Sequence, residues 1–377
     1  MKDDASKYMH LALRLAQRGR DKVSPNPMVG AVVVKKGKII GRGYHKFFGG
    51  PHAEIYALRQ AGLLDSKAGK NARGATLYVT FEPCNHYGKT PPCTGAIVKA
   101  GIKKVVIAMK DPNPLNNGAG IRELRRKKIR VVSGVCEKQA KRLNSAFIKY
   151  ITEKMPYVIV KIAQSLDGKI ATKKGESKWI TRDYARRHVQ KLRAEADAIM
   201  IGVNTILKDD PLLTARNQKT KINRQKPVKV ILDSKLRTPL NAKIFSKESP
   251  AKVIIAANSA PKEKIAAFKN KGVEIIEAKG ANGNVNIKTV MRELARRGIA
   301  NVLIEGGGET IASAFKARLV DKILFFIAPK IIGGRCAKTS VEGEGIEKLV
   351  DTTEISEIKI KKLDKDILLE GYVHGNN

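Results

Sequence analysis

Short apolar runs broken by glycine, proline and charged turns alternate with stretches whose apolar residues recur at helical spacing, so strands and helices should interleave along the chain. Tyr8, Leu11, Ala12 and Leu15 share one face of a first helix that Asp4 or Ser6 can cap. Ser24-Pro25-Asn26-Pro27 reads as a loop, because its prolines remove donors and fix φ. Strands are expected at 28–34, 39–43, 75–80 and 104–109, with helices at 52–61 and 93–100. This alternation predicts an α/β layered unit with a largely parallel sheet. The segment 137–150 reads as one helix, and the polar stretch ending at Pro156 places a domain boundary near 150, giving domains 1–150 and 151–377. Beyond it, strands at 157–163, 198–201, 228–232, 253–257, 273–276, 302–304 and 323–328, with helices at 182–194 and 290–297, predict a second α/β unit with a mostly parallel core.

A length of 377 residues suits two domains of ordinary size. No apolar run is long enough to span a membrane. The acidic start MKDDASKYMH lacks the basic, then apolar, pattern of a secretory signal, and four cysteines are too few for a disulfide scaffold. A cytoplasmic, reducing location is expected. The net charge of +38 raises nucleic acid as a partner. It is spread over both halves, and aromatic residues are only 5%, few for stacking on bases. The densest run, RELRRKKIR from Arg122 to Arg130, reads as a solvated helix face. A small phosphorylated substrate suits the charge; no nucleic-acid or membrane partner is expected, and a homo-oligomer is compatible with the composition.

Three pieces carry candidate chemistry: His52-Ala53-Glu54, Glu82-Pro83-Cys84 and Pro91-Pro92-Cys93. One imidazole and two thiolates suit tetrahedral zinc, and three protein ligands leave a fourth position for water. Glu54, two residues beyond His52, points elsewhere and can serve as proton shuttle. Cys93 at a helix start gains thiolate stability from the positive helix end, and Cys84 does so if a helical turn opens after Pro83. Cys136 and Cys336 read as small buried apolar residues. In the second half, NVLIEGGGET (Asn301–Thr310) runs a strand through three glycines into a helix, a form that accepts phosphate but matches neither the dinucleotide fingerprint nor a P-loop. Trp179, the single Trp, sits among polar residues, where it can form an aromatic wall beside a ring.

His-x-Glu with Pro-Cys matches part of the zinc nucleobase-deaminase signature, and the wide spacing in CNHYGKTPPC departs from it. That insertion, with SPNPMVGAVVV, Gly43–His45 and DPNP at Asp111–Pro114, resembles the deaminase half of the bifunctional riboflavin-biosynthesis deaminase/reductases. KIAQSLDGKIATKKGESKW (Lys161–Trp179), IMIGVNTILKDDPLLTAR, VILDSKLRTP and APKIIGG resemble their reductase half. The resemblance implies a cytidine-deaminase-like three-layer α/β/α domain, followed by a dihydrofolate-reductase-like α/β domain using NADPH. It implies that His52, Cys84 and Cys93 hold Zn2+ and that Glu54 is catalytic. Asn26, His45, His86 and Lys89 would hold a phosphorylated pyrimidine. Ala163, Trp179, Thr205, Asp209 and Ser234 would line the NADPH site, with Gly307, Gly308, Glu309, Thr310, Ile311, Ala312 and Ser313 around its phosphates. Lys161, Ser177, Arg193, Leu213, Arg216 and Glu305 would meet the substrate. The expected reactions are hydrolytic deamination of 2,5-diamino-6-(5-phosphoribosylamino)pyrimidin-4-one, then reduction of the ribosyl chain to ribityl. An RNA-binding zinc protein is the rival, and it leaves the second half unexplained; a deaminase half serving only as scaffold is a third reading, opposed by the intact His52, Glu54, Cys84 and Cys93.

Overall fold

The computed structural model describes residues 2–62, 72–88, 90–215, 226–248 and 250–373. The chain divides into two compact units, Met1–Lys154 and Met155–Asn377.

The first unit contains α1 (Lys2–Ala16), β1 (Gly30–Lys35), β2 (Lys38–Tyr44), α2 (Ala53–Gln60), β3 (Thr76–Phe81), α3 (Cys93–Lys99), β4 (Lys104–Met109), α4 (Ala119–Arg126), β5 (Arg130–Ser133), α5 (Glu137–Leu143) and α6 (Ser145–Glu153). The first helix begins ahead of Asp4 and Ser6, so neither is its cap. The sheet order is β2-β1-β3-β4-β5. The expectation of a largely parallel sheet is corrected: β1 pairs antiparallel with both β2 and β3, and only β3-β4-β5 run parallel. The two-residue turn at Lys36-Gly37 forces the hairpin, since a parallel neighbour needs a longer crossover. Val105 to Met109 and Leu77 to Phe81 are buried throughout, which requires cover on both faces of the sheet. Gly41 and Gly43 let α2 settle on β2; a Cβ on either would lie 2.1 or 2.2 Å from the Ala57 or Ala53 carbonyl oxygen.

The single helix expected over 137–150 is broken at Asn144. Its buried amide turns away from the helix: Met28 N donates to Oδ1 at 2.7 Å, and Nδ2 donates to Met28 O at 3.1 Å. The break therefore fixes the loop that carries Asn26. The expected boundary at 150 falls inside α6.

The second unit contains β6 (Tyr157–Ser165), α7 (Asp183–Glu195), β7 (Ala198–Gly202), α8 (Val203–Asp209), β8 (Val228–Leu232), β9 (Val253–Ala257), α9 (Lys262–Asn270), β10 (Glu274–Glu277), α10 (Ile287–Arg296), β11 (Asn301–Ile304), α11 (Gly308–Lys316), β12 (Lys322–Ala328), β13 (Ile355–Leu363) and β14 (Asp366–Val373). Its sheet order is β10-β9-β8-β7-β11-β6-β12-β14-β13. Seven strands from β10 to β12 run parallel, as the apolar runs predict, and β14-β13 close the edge as an antiparallel hairpin. Order reverses where β11 lies between β6 and β7, and in open α/β sheets ligands bind beside such a reversal, at the carboxyl ends of the strands. Among the described residues no helix is long and apolar enough to cross a membrane.

Candidate active sites

In the first unit, His52 is the N-cap of α2 and Glu54 lies in its first turn. Cys93 opens α3 behind Pro92. Cys84 follows β3 in irregular backbone, so the helical turn considered after Pro83 is absent, and its thiolate is stabilised by Cys93 and His52 instead. His52 Nδ1 lies 3.2 Å from Cys93 Sγ and 3.5 Å from Cys84 Sγ, and Cys93 N donates to Cys84 Sγ at 3.3 Å. One donor atom from each of the three falls within 4.8 Å of the others. A tetrahedral zinc with ordinary Zn–S and Zn–N lengths needs N–S edges of about 3.6 Å, so these donors fit the ion without rearrangement.

Protonation follows the same packing. The Cys84 thiol is pushed down to about 4, first by the hydrogen bond from Cys93 and then by His52, against burial. Cys93, the buried donor of that pair, is pushed up. His52 is raised, chiefly by its hydrogen bond with Cys84. Glu54 is 3% exposed, and burial pushes its carboxyl up to about 7 although His52 opposes this.

His52, Glu54 and Cys84 line a cavity of about 270 Å³ that also receives Asn26, His45 and His86, with Cys93 fully buried behind them. Asn26 Nδ2 lies 3.3 Å from His45 Nε2, and His45 Nδ1 lies 3.1 Å from Pro51 O. Lys89 lies outside the described residues. Phe48, Asp111, Asn113 and Phe147 also line the cavity; only the DPNP motif signalled any of them in the sequence. Glu82 stands in the Glu82-Pro83-Cys84 piece, but nothing in the sequence signals its role. Its buried carboxylate accepts from Asp111 N, Gly118 N and Ile121 N at 3.0–3.1 Å, tying the end of β3 to the start of α4. Cys136 is half-buried with Sγ 3.8 Å from His10 Nε2, and Cys336 is exposed, so reading both as buried apolar residues is corrected. Each sits in a turn rather than a strand or helix interior.

In the second unit, the register Ile304↔Val160 sets Glu305 at the end of β11 beside Lys161 on β6. Arg193, near the end of α7, grips Glu305 with two bonds, Nε to Oε1 at 2.6 Å and Nη2 to Oε2 at 2.9 Å. Lys161 Nζ lies 3.7 Å from Glu305 Oε2. The Glu305 side chain is 2% exposed; burial favours its protonation, but Arg193 and Lys161 outweigh that and hold it ionised. Burial lowers Lys161, with Arg193 adding to the effect. Arg193 Nη1 also donates to Thr214 O at 3.3 Å, next to the buried, left-handed Leu213. Arg216 lies outside the described residues.

Ser177 Oγ donates to Asp209 Oδ1 at 3.0 Å, and Thr205 stands beside the glycine turn, its Oγ1 3.7 Å from where a Cβ on Gly306 or Gly307 would sit. Gly307, at φ 73, caps α11, whose first turn carries Gly308 to Ile311, with Ala312 and Ser313 following. Ala163 lies on β6, and Ser234 follows β8. Trp179 is 64% exposed, with the Arg186 guanidinium 4.5 Å from its ring centre. Asp167 accepts from Ile332 N at 3.1 Å and Gly333 N at 2.7 Å, joining the LDG turn to KIIGG.

The zinc-binding region of cytidine and deoxycytidylate deaminases matches residues 2–109, and the RibD C-terminal domain matches residues 156–369. The riboflavin biosynthesis protein RibD of Aquifex aeolicus is 45% identical over 362 residues, 96% of each chain. That of Escherichia coli is 37% identical over 372 residues, 96% of this chain and 97% of its own. Among solved structures, Acinetobacter baumannii RibD is similar at TM-score 0.86 with 38% identity over 99% of both chains. A diaminohydroxyphosphoribosylaminopyrimidine deaminase/5-amino-6-(5-phosphoribosylamino)uracil reductase from Thermotoga maritima is similar at TM-score 0.84 with 37% identity over 99% of both chains. With a cytidine-deaminase-like unit and a dihydrofolate-reductase-like unit in one chain, this protein belongs to the RibD family, the bifunctional zinc-dependent deaminases and NADPH-dependent reductases of riboflavin biosynthesis.

Proposed function

We propose that the first unit hydrolytically deaminates 2,5-diamino-6-(5-phosphoribosylamino)pyrimidin-4-one, and that the second reduces the product to 5-amino-6-(5-phosphoribitylamino)uracil. The observation that carries this reading is the meeting of His52 Nδ1 with two cysteine sulfurs at the cavity that holds Glu54, which His52 and Cys84 line. His52, Cys84 and Cys93 are the residues that would hold zinc. When bound, the ion supplies Lewis acidity that makes a water acidic near neutral pH. Glu54 takes the proton released as water adds to the amine-bearing carbon, gives it to the ring nitrogen, and then serves the departing ammonia. Asn26, His45 and His86 meet the ring edge and its substituents, and Lys89 meets the phosphate.

In the second unit, Ala163, Trp179, Thr205, Asp209, Ser234 and Gly307 to Ser313 form the NADPH site. The cofactor supplies the hydride. The opened ribosyl chain accepts hydride at its C1′ imine carbon and a proton at nitrogen; Lys161 Nζ, kept close by Glu305, gives that proton. Ser177 and Leu213 flank the substrate. Arg193 spends two donors on Glu305, so we assign it to positioning and give the phosphate to Arg216. A reducing, cytoplasmic setting suits thiol ligands that must stay unbridged. The outer strand β13 exposes Ile358 and Ile360, an edge suited to a second copy of the chain.

The test is incubation with the diaminopyrimidine phosphate, with and without NADPH. Ammonia should appear in both, and absorbance at the nicotinamide band should fall only when NADPH is present and only after ammonia. NADPH consumption ahead of ammonia release refutes the order.

A further inference from the structure

The turn that follows β8 has features that the roles assigned above leave unused. Leu236 is left-handed at φ 48, a conformation a bulky side chain rarely takes, yet it is only 2% exposed. The turn is held from several sides. Leu236 N donates to Asp233 O at 3.2 Å, and Thr238 N and Oγ1 both donate to Asp233 Oδ2 at 2.7 Å. Asn258 N and Ser259 N donate to Ser234 O at 3.1 and 3.2 Å, and Lys264 Nζ donates to Leu236 O at 3.4 Å. Because Leu236 is turned into the core, its neighbours Lys235 and Arg237 both face solvent.

Arg237 is nevertheless aimed. Its Nη2 donates to Asn204 Oδ1 at 3.1 Å, and the next residue, Thr205, is the one beside Gly306 and Gly307. The strands agree with this placement: β7 pairs with β11 on one side and with β8 on the other, with Gly202 opposite Leu232. Two strand spacings, about 10 Å, separate the glycine turn from Ser234. A dinucleotide whose pyrophosphate lies at the glycines and whose adenosine runs along the strand ends would bring its ribose to the β8 turn. Sites for the unphosphorylated dinucleotide place a carboxylate on the ribose 2′-hydroxyl. The acid in this turn, Asp233, is fully buried and spends Oδ2 on Thr238, leaving the exposed tip cationic.

We propose that Arg237, seconded by Lys235, selects the 2′-phosphate of NADPH over the 2′-hydroxyl of NADH. The guanidinium keeps donors beyond the one given to Asn204, enough for a forked bond to phosphate oxygens. The assignment rests on the NADPH placement proposed above.

Calorimetric titration of the zinc-loaded full chain with NADPH, NADH and adenosine 2′,5′-bisphosphate tests it without turnover. Arg237→Ala should raise the Kd for NADPH and for the bisphosphate by about 10- to 100-fold and leave that for NADH within about twofold. Arg237→Lys should recover part of the loss. An Arg237→Ala chain that keeps its NADPH affinity, or loses NADPH and NADH equally, overturns the proposal. Gly307→Val separates the two readings. If it blocks both nucleotides while Arg237→Ala changes nothing, the placement stands and the selectivity role falls. If it leaves both affinities intact, the placement fails and takes the proposal with it.

Discussion

In the first unit, an imidazole and two sulfurs crowd within 4.8 Å and share protons among themselves, with Glu54 buried in the same cavity. In the second, the Glu305 carboxylate lies between the Arg193 guanidinium and the Lys161 ammonium, at 2.6 and 3.7 Å. The first cluster is, on the proposed reading, a set of ligands whose charge would be balanced by what it binds. The second balances itself, so it can stay ionised out of water and act through position. Metal affinity should therefore decide the chemistry of one unit and be irrelevant to the other, whereas a carboxylate-to-amide change should cost folding stability in one and mainly turnover in the other.

Removing zinc presses hardest on this contrast. Chelation should abolish ammonia release and leave NADPH oxidation on separately supplied deaminated intermediate unchanged. A parallel fall in both rates would mean that the units do not keep their chemistry apart. Glu54→Gln should lower deamination by about 10²- to 10⁴-fold while metal analysis still finds zinc on the chain, because the amide cannot carry a proton but leaves the three donors in place. Loss of the metal along with activity would make Glu54 part of the ligand frame rather than the proton carrier.

Glu305→Gln probes the other side. It leaves two buried cations facing each other, and breaking a buried pair in this way costs about 3–5 kcal/mol. Denaturant unfolding of the full chain should show the second unit melting earlier, with deamination untouched. An unchanged transition would show that Lys161 and Arg193 reach water, and that the self-balanced description is wrong.

The same contrast explains what could be read along the chain. Strands 228–232, 253–257 and 104–109 were legible to the residue, because uninterrupted apolar runs end abruptly at polar turns. The hairpin β13-β14 was not, since IKIKKL alternates apolar and charged residues on an exposed edge. The gathering of His52, Cys84 and Cys93 was legible because they stand in motifs, although the missing helical turn at Cys84 was not foreseeable. Arg193 and Glu305 are 112 residues apart, and what joins them is the insertion of β11 between β6 and β7. Strand order is a tertiary choice with no local signature. The break at Asn144 belongs with it: its reason, Met28, lies 116 residues away.

Lys229 on β8 supplies the smallest and most selective probe, because it is a second buried cation in the same unit as Lys161. Its side chain is 1% exposed and Nζ donates to Ile244 O at 2.9 Å. Burial, with Lys226 adding, lowers its pKa from 10.5 to about 8. Below about pH 8 the group is protonated in both folded and unfolded chains, and the folded state bears the full cost of an enclosed ammonium. Between about 8 and 10.5 the folded chain releases the proton that the unfolded chain keeps, so stability rises with pH, by at most about 1.4 kcal/mol per unit. Above that window the cost is gone. Lys229→Met cannot titrate and should lose this rise, whatever its stability at neutral pH. Urea midpoints for the second unit at pH 7.5, 8.5 and 9.5 (about one unit apart, spanning the lower end of the window) give the slope directly. If wild type and variant rise in parallel, Lys229 keeps its proton through the window, and burial in this sheet does not strip the proton from an ammonium that donates to Ile244 O.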